Sequence, residues 1–131
     1  MTYKEASLAI TTFRSELIVK GEASDLFGRE RKDALQGIFG NLVQTWDSVP
    51  LYHSNIERAA RLVYFVIKDH PFNDGNKRIG CLLFLIYLKK SNIATEVDNN
   101  SLIALALLVT ESQPSQKEIM IQLIVLLGNV I

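Results

Sequence analysis

Two apolar helical periods separated by a short polar turn constrain this chain more than any other feature. Upstream of the turn, Ala59, Leu62, Val63, Val66 and Ile67 recur at i, i+3, i+4, i+7 and i+8 and so share one helix face. Ser54-Asn55-Ile56-Glu57 has the form of a capping box and opens that helix. The helix must stop near Asp69, because Pro71 disfavours helical backbone in the residue before it. Downstream of Asn73-Asp74-Gly75-Asn76, a second helix is predicted from Asn76 or Lys77 to about Lys90. Ile79, Leu82, Leu83, Phe84, Leu85, Ile86 and Leu88 make it apolar almost all round, which predicts a central buried helix. Lys89 and Lys90 suit the negative end of its dipole.

The remaining segments are helical in pattern too. A first helix is predicted over residues 4–20, with Gly21 to Gly28 as a connection. The mixed segment Arg29 to Trp46 carries Leu35, Ile38, Phe39, Leu42 and Val43 at helical spacing, and Asp47-Ser48-Val49-Pro50 breaks it. Two further helices are predicted over about Ser101 to Thr110 and Ser115 to Leu127. Strand signals are weak, leaving room for a short hairpin near Gly21 to Arg31 or Trp46 to Tyr52. The prediction is an all-α bundle forming one domain over residues 1–131, a unit also compatible with excision from a longer protein.

Charge and cysteine usage narrow the function classes. Fourteen Lys and Arg balance 14 Asp and Glu, so a grip on nucleic acid by bulk charge is not expected. No stretch reads as a signal peptide or a membrane span, and Ile119 to Leu127 is interrupted by Gln122. That stretch reads as core or as a homodimer interface. The single cysteine, Cys81, lies in an apolar run and reads as a small buried hydrophobe. A cytoplasmic protein is expected.

The chemistry concentrates in His70-Pro71-Phe72-Asn73-Asp74-Gly75-Asn76-Lys77-Arg78. A histidine leaves one helix, and a glycine-containing turn leads to the N-terminus of the next. Helix N-termini expose unpaired N–H groups and positive partial charge, which suits a phosphate. Gly75 lets the backbone approach an anion, and Gly75 through Lys77 can form a nest of amides. Arg78 in the first turn opposes the dipole, so a bidentate phosphate contact is the reading that explains it. Asp74 offers a hard oxygen ligand for Mg²⁺, and His70 can act as a general base near neutral pH. Phe72 reads as an anchor for the turn. Singly, each residue has a plain alternative: His70 or Asn76 as a helix cap, Asp74-Gly75 as a turn pair, Lys77 and Arg78 as a solvated basic pair.

Taken in order, the run resembles the signature of the Fic/Doc family, His-x-Phe-x-Asp/Glu-Gly-Asn-x-Arg. His70, Phe72, Asp74, Gly75, Asn76 and Arg78 meet every specified position. The resemblance extends from about Leu26 through Ile93 and is closest to the Doc-like branch. It implies transfer of a phosphate-containing piece of ATP to a Ser, Thr or Tyr hydroxyl of a target protein. His70 would take the hydroxyl proton, and Asp74 would bind Mg²⁺ on the nucleotide. Gly75 and Asn76 would build an anion hole, with Lys77 beside it, and Arg78 would hold a phosphate. The resemblance also implies restraint by an antitoxin or other inhibitory partner.

Two departures bear on the reaction. AMP-transferring members of the family often have glycine between the Asn and the Arg, and a second Arg three residues later. Here those positions are Lys77 and Cys81. Lys77 resembles the Doc branch and favours transfer of the terminal phosphate, but that branch often has Ala where this chain has Gly75, so both donor orientations stay open. The family's inhibitory pattern has its nearest match at Thr12-Phe13-Arg14-Ser15-Glu16, followed by Leu17 in place of Gly or Asn, and an ordinary helix surface explains it better. Rival readings are a catalytically silent nucleotide- or partner-binding module, a structural helical domain, and a metal hydrolase built on His53, His70 and Asp74.

Overall fold

In a computed structural model the chain is described over residues 1–46 and 48–129, which leaves the predicted breaker Asp47 outside the described residues. The elements run α1 (Tyr3–Val19), α2 (Ala34–Leu42), β1 (Thr45–Trp46), β2 (Val49–Pro50), α3 (Asn55–Asp69), α4 (Asn76–Lys90), α5 (Asn99–Glu111), a 3-10 turn (Pro114–Gln116) and α6 (Lys117–Asn129). The two strands pair antiparallel, Thr45 with Pro50 and Trp46 with Val49. No helix among the described residues is long and apolar enough to cross a membrane.

Four of the helices, α1, α2, α3 and α5, start where a side chain satisfies their orphan amides. Thr2 and Glu5 form a full capping box on α1, with N–O distances of 3.2 and 2.9 Å. On α3 only half of the expected box forms. Ser54 Oγ accepts from the Glu57 amide at 3.2 Å, but the Glu57 carboxylate turns to Arg61 one turn on, an ion pair stronger than a bond back to an exposed amide. The α5 helix begins on Asp98, which accepts from the Ser101 amide at 2.7 Å. The predicted segment 29–46 is helical only from Ala34, because Lys32 and Asp33 take positive φ of 28° and 57°. The α2 amides of Leu35 and Gln36 are capped from a distance by Glu30 Oε2, at 3.1 and 3.4 Å.

The core gathers on α3, which touches α2, α4, α5 and α6. Where α3 packs against α4, Leu62 and Val66 of α3 and Ile79, Leu83, Phe84 and Leu88 of α4 are all fully buried. A Cβ at Gly80 would lie 3.4 Å from Val63, Val66 and Ile67, so the two helices meet at ordinary contact distance with little room to spare. The other face of α4, with Cys81, Leu82, Leu85 and Ile86, is only half-buried. In α6, Met120, Ile121 and Ile124 are buried, whereas Ile119 and Leu126 remain exposed, so the apolar C-terminal stretch is core on one side only. Arg61, buried in mid-helix, ties α3 to α6 through Glu118 at 3.0 Å.

Candidate functional site

The α3 helix ends as the proline requires. His70 is its C-cap, in the left-handed region at φ 51° and ψ 61°, because the ring of Pro71 excludes ordinary helical backbone there. The freed carbonyls of the last turn are not left to water. The Arg31 guanidinium donates to the Asp69 carbonyl at 2.8 Å and also to that of His70, and the Arg31 amide donates to the Pro71 carbonyl at 2.7 Å. The His70 side chain is exposed and lines an open cleft of about 430 Å³ with Asn73, Asp74, Gly75, Asn76, Lys77 and Arg78.

The turn is locked from below. Phe72 is buried, outside the cleft lining. Asn76 is the first residue of α4 instead of its cap. Its side chain reaches back, with Oδ1 accepting from the Phe72 amide and Nδ2 donating to the Phe72 carbonyl, both at 3.0 Å. The cap itself is Gly75, at φ 87°, and no side chain among the described residues bonds the amides that follow it. A Cβ at Gly75 would lie 2.3 Å from the ring of Phe27, so this position admits no side chain. The first-turn amides of Asn76, Lys77 and Arg78 therefore meet the cleft with their positive ends uncapped.

Charged groups complete it. Asp74 is exposed, and its Oδ2 accepts from the Ser24 hydroxyl at 3.4 Å. Lys77 and Arg78 are exposed in the first turn of α4. The Arg78 guanidinium donates to the Glu22 carbonyl at 3.0 Å and lies 4.5 Å from the centroid of the Phe27 ring. Among the described residues, no carboxylate pairs with it. Two cations and a helix N-terminus face one carboxylate, so the cleft favours a multiply charged anion.

All six cleft residues named from the sequence come together: His70, Asp74, Gly75, Asn76, Lys77 and Arg78. What the sequence reading missed is the support from the segment 22–31. Backbone bonds join Gly28 to Asp74, Asn73 to Arg29 and Arg31 to Pro71. Isolated bridges pair Phe27 with Asp74 and Glu30 with Phe72, so the hairpin allowed for Gly21 to Arg31 is replaced by pairing with the site turn. The one available signal was the large apolar pair Leu26-Phe27, placed in a connection of polar and small residues. In the stretch that resembles an inhibitory pattern, Glu16 is exposed and Arg14 donates to the carbonyls of Asp25 and Phe27, both at 2.9 Å. A second cleft of about 430 Å³ adjoins the first and shares Lys77 and Arg78; it is apolar, lined by Phe13 of α1, Leu82 and Leu85 of α4, and Ile103 and Leu107 of α5. Cys81 borders it, and burial pushes its thiol up, which keeps it protonated and a poor nucleophile. His53 does not line the cleft of His70 and Asp74, so that proposed metal-hydrolase set is not assembled.

No curated protein and no solved structure matches the chain. A family model does: that of the Fic/DOC family, over residues 9–88. The match covers α2, α3, the entire site turn and most of α4, together with the segment that supports the turn. On that match, which spans more than half of its length, this chain belongs to the Fic/DOC family.

Proposed function

We propose that this protein transfers a phosphate-containing group of ATP to a hydroxyl side chain of a target protein, with His70 as general base. One observation carries the reading. An exposed histidine, a helix N-terminus and an arginine that no carboxylate among the described residues pairs with share one open cleft. Membership of the family supports it.

The chemistry follows from the groups present. The acceptor hydroxyl approaches His70, whose imidazole takes its proton as the oxygen forms a bond to phosphorus. The bond from that phosphorus to the leaving oxygen breaks, releasing ADP if the terminal phosphate moves or pyrophosphate if AMP moves. The amides of Asn76, Lys77 and Arg78, with the Arg78 guanidinium, stabilise the charge on the phosphate oxygens. Asp74 would hold Mg²⁺; a single exposed carboxylate fits an ion that takes its other ligands from phosphates and water, and the ion supplies further charge neutralisation. Lys77 adds a cation beside the amides and favours the terminal phosphate as the group transferred.

The test is labelling of target protein in a cell lysate with Mg²⁺ and ATP, run once with α-labelled and once with γ-labelled nucleotide. Label from the γ position, abolished by His70→Ala, is expected. Label from the α position would assign AMP transfer and remove the role given to Lys77. Nucleotide binding with no His70-dependent label would overturn the enzyme reading in favour of a binding module.

A further inference from the structure

Phe27 belongs to no helix or strand, yet its side chain is fully buried. Several independent contacts hold it there. Arg14 of α1 donates to its carbonyl at 2.9 Å, its amide donates to the Ser24 carbonyl at 3.1 Å, and Phe13 packs edge-on against its ring at 5.7 Å between centroids. The ring then touches the site at two points. It occupies the space that a Cβ at Gly75 would need, at 2.3, 2.4 and 2.9 Å from three ring carbons. It also underlies the Arg78 guanidinium at 4.5 Å. One rigid ring thus sets both the path of the backbone into α4 and the direction of the cation three residues on.

We infer that Phe27 is a positioning residue for the phosphate-binding end of the cleft, acting through Arg78; the inference rests on the function proposed above. The ring face and the Glu22 carbonyl between them fix a side chain that is otherwise long and mobile. An arginine held in advance loses less rotamer freedom when it binds a phosphate. Attraction of the cation to the ring adds to this at an exposed site. Together these effects predict a roughly three- to tenfold gain in nucleotide affinity from Phe27.

The test is a double-mutant cycle read by calorimetric titration with Mg²⁺ and the non-hydrolysable β,γ-imido analogue of ATP. The four proteins are wild type, Phe27→Leu, Arg78→Gln and the double variant. Phe27→Leu keeps the buried apolar volume and removes the aromatic face. It is expected to weaken binding about three- to tenfold, and to have no further effect once Arg78 is already replaced. An unchanged affinity in Phe27→Leu overturns the inference. So does a loss of the same size in the Arg78→Gln background, because a merely structural role would act there too. Should the wild-type chain bind no nucleotide, the functional reading falls and the geometry is decided separately. The Arg78 Nε–H resonance is then expected to be shifted by the ring current and to lose that shift in Phe27→Leu. An unshifted wild-type resonance overturns the positioning role.

Discussion

Two arginines of this fold each lie over an aromatic ring, and what differs is their electrical surroundings. Arg61, in the middle of α3, sits 4.2 Å from the Tyr52 ring centroid and is paired with Glu57 at 3.2 Å and Glu118 at 3.0 Å. Arg78, in the first turn of α4, sits 4.5 Å from the Phe27 ring and donates to a backbone carbonyl. Arg61 is buried and its charge is met twice over by carboxylates, so it braces α3 against α6. Arg78 is exposed, at the end of a helix whose dipole repels it, and its charge is compensated by no carboxylate among the described residues. The same side chain, set over an aromatic ring in both places, is a structural brace in one and, in the function proposed above, a receptor for an anion in the other.

Replacing each arginine with glutamine should separate the two roles. Arg78→Gln is expected to weaken nucleotide binding and slow labelling by at least tenfold, since charge-assisted bonds of about 1.5–3 kcal/mol are lost. Its melting temperature should hold or rise, because an unfavourable cation leaves a helix N-terminus. Titration and thermal melting on the same preparations check both. A loss of stability with unchanged nucleotide affinity would mean that the Glu22 contact, not an anion, is what Arg78 serves.

Arg61→Gln should show the opposite pattern. Two charge-assisted contacts disappear, but Glu57 and Glu118 are partly exposed and can return to water, so the expected loss is about 1–2 kcal/mol. For a domain of this size that lowers the melting temperature by roughly 4–8 °C. Labelling per folded molecule should be unchanged at a temperature well below the melt. If nucleotide affinity falls as far as in Arg78→Gln, the brace and the receptor are coupled and the comparison fails.

The two arginines also mark how much could be read from the sequence. Arg78 belongs to a contiguous run, and its helix could be placed because the apolar period on either side of the turn is long and Pro71 fixes where α3 ends. His70, Asp74, Gly75 and Arg78 lie within nine residues, so the order in the chain is nearly the order in space. Arg61 gave no such signal. Its partner Glu118 is 57 positions away, and its nearer partner, Glu57, was expected to complete the cap of α3 instead. The supporting side of the site was hidden for the same reason. The Glu22 carbonyl meets Arg78 across 56 positions, and Arg31 meets His70 across 39. The start of α2 within the mixed segment 29–46 had no local mark, because its amides are capped by Glu30 from five and six residues away and not by the adjacent Asp33. Periodicity reports which face of a helix is buried; it does not report which distant loop will cover the end of another.

The smallest effect tests whether Arg61 needs its second carboxylate. Glu118 is held below the usual carboxylate range chiefly by its hydrogen bond from Arg61, with burial opposing. A depressed folded value means that the contribution is present above the unfolded value, near 4.3, and is lost as pH falls through the folded one. Glu118→Gln should therefore melt below wild type at pH 7, and the gap should close on acidification below about pH 4. With the Glu118 side chain 62% exposed, solvent screening keeps the contribution to about 0.5 kcal/mol or less, roughly 2 °C. Glu5, pushed down to about 2 by its bonds to Lys90 and Thr2, also responds to acid, but it is present in both proteins and cancels in the difference. A gap that persists at pH 3 would assign the effect to packing of the Glu118 stem. Arg61 would then be neutralised by Glu57 alone, and its contrast with Arg78 would rest on one ion pair instead of two.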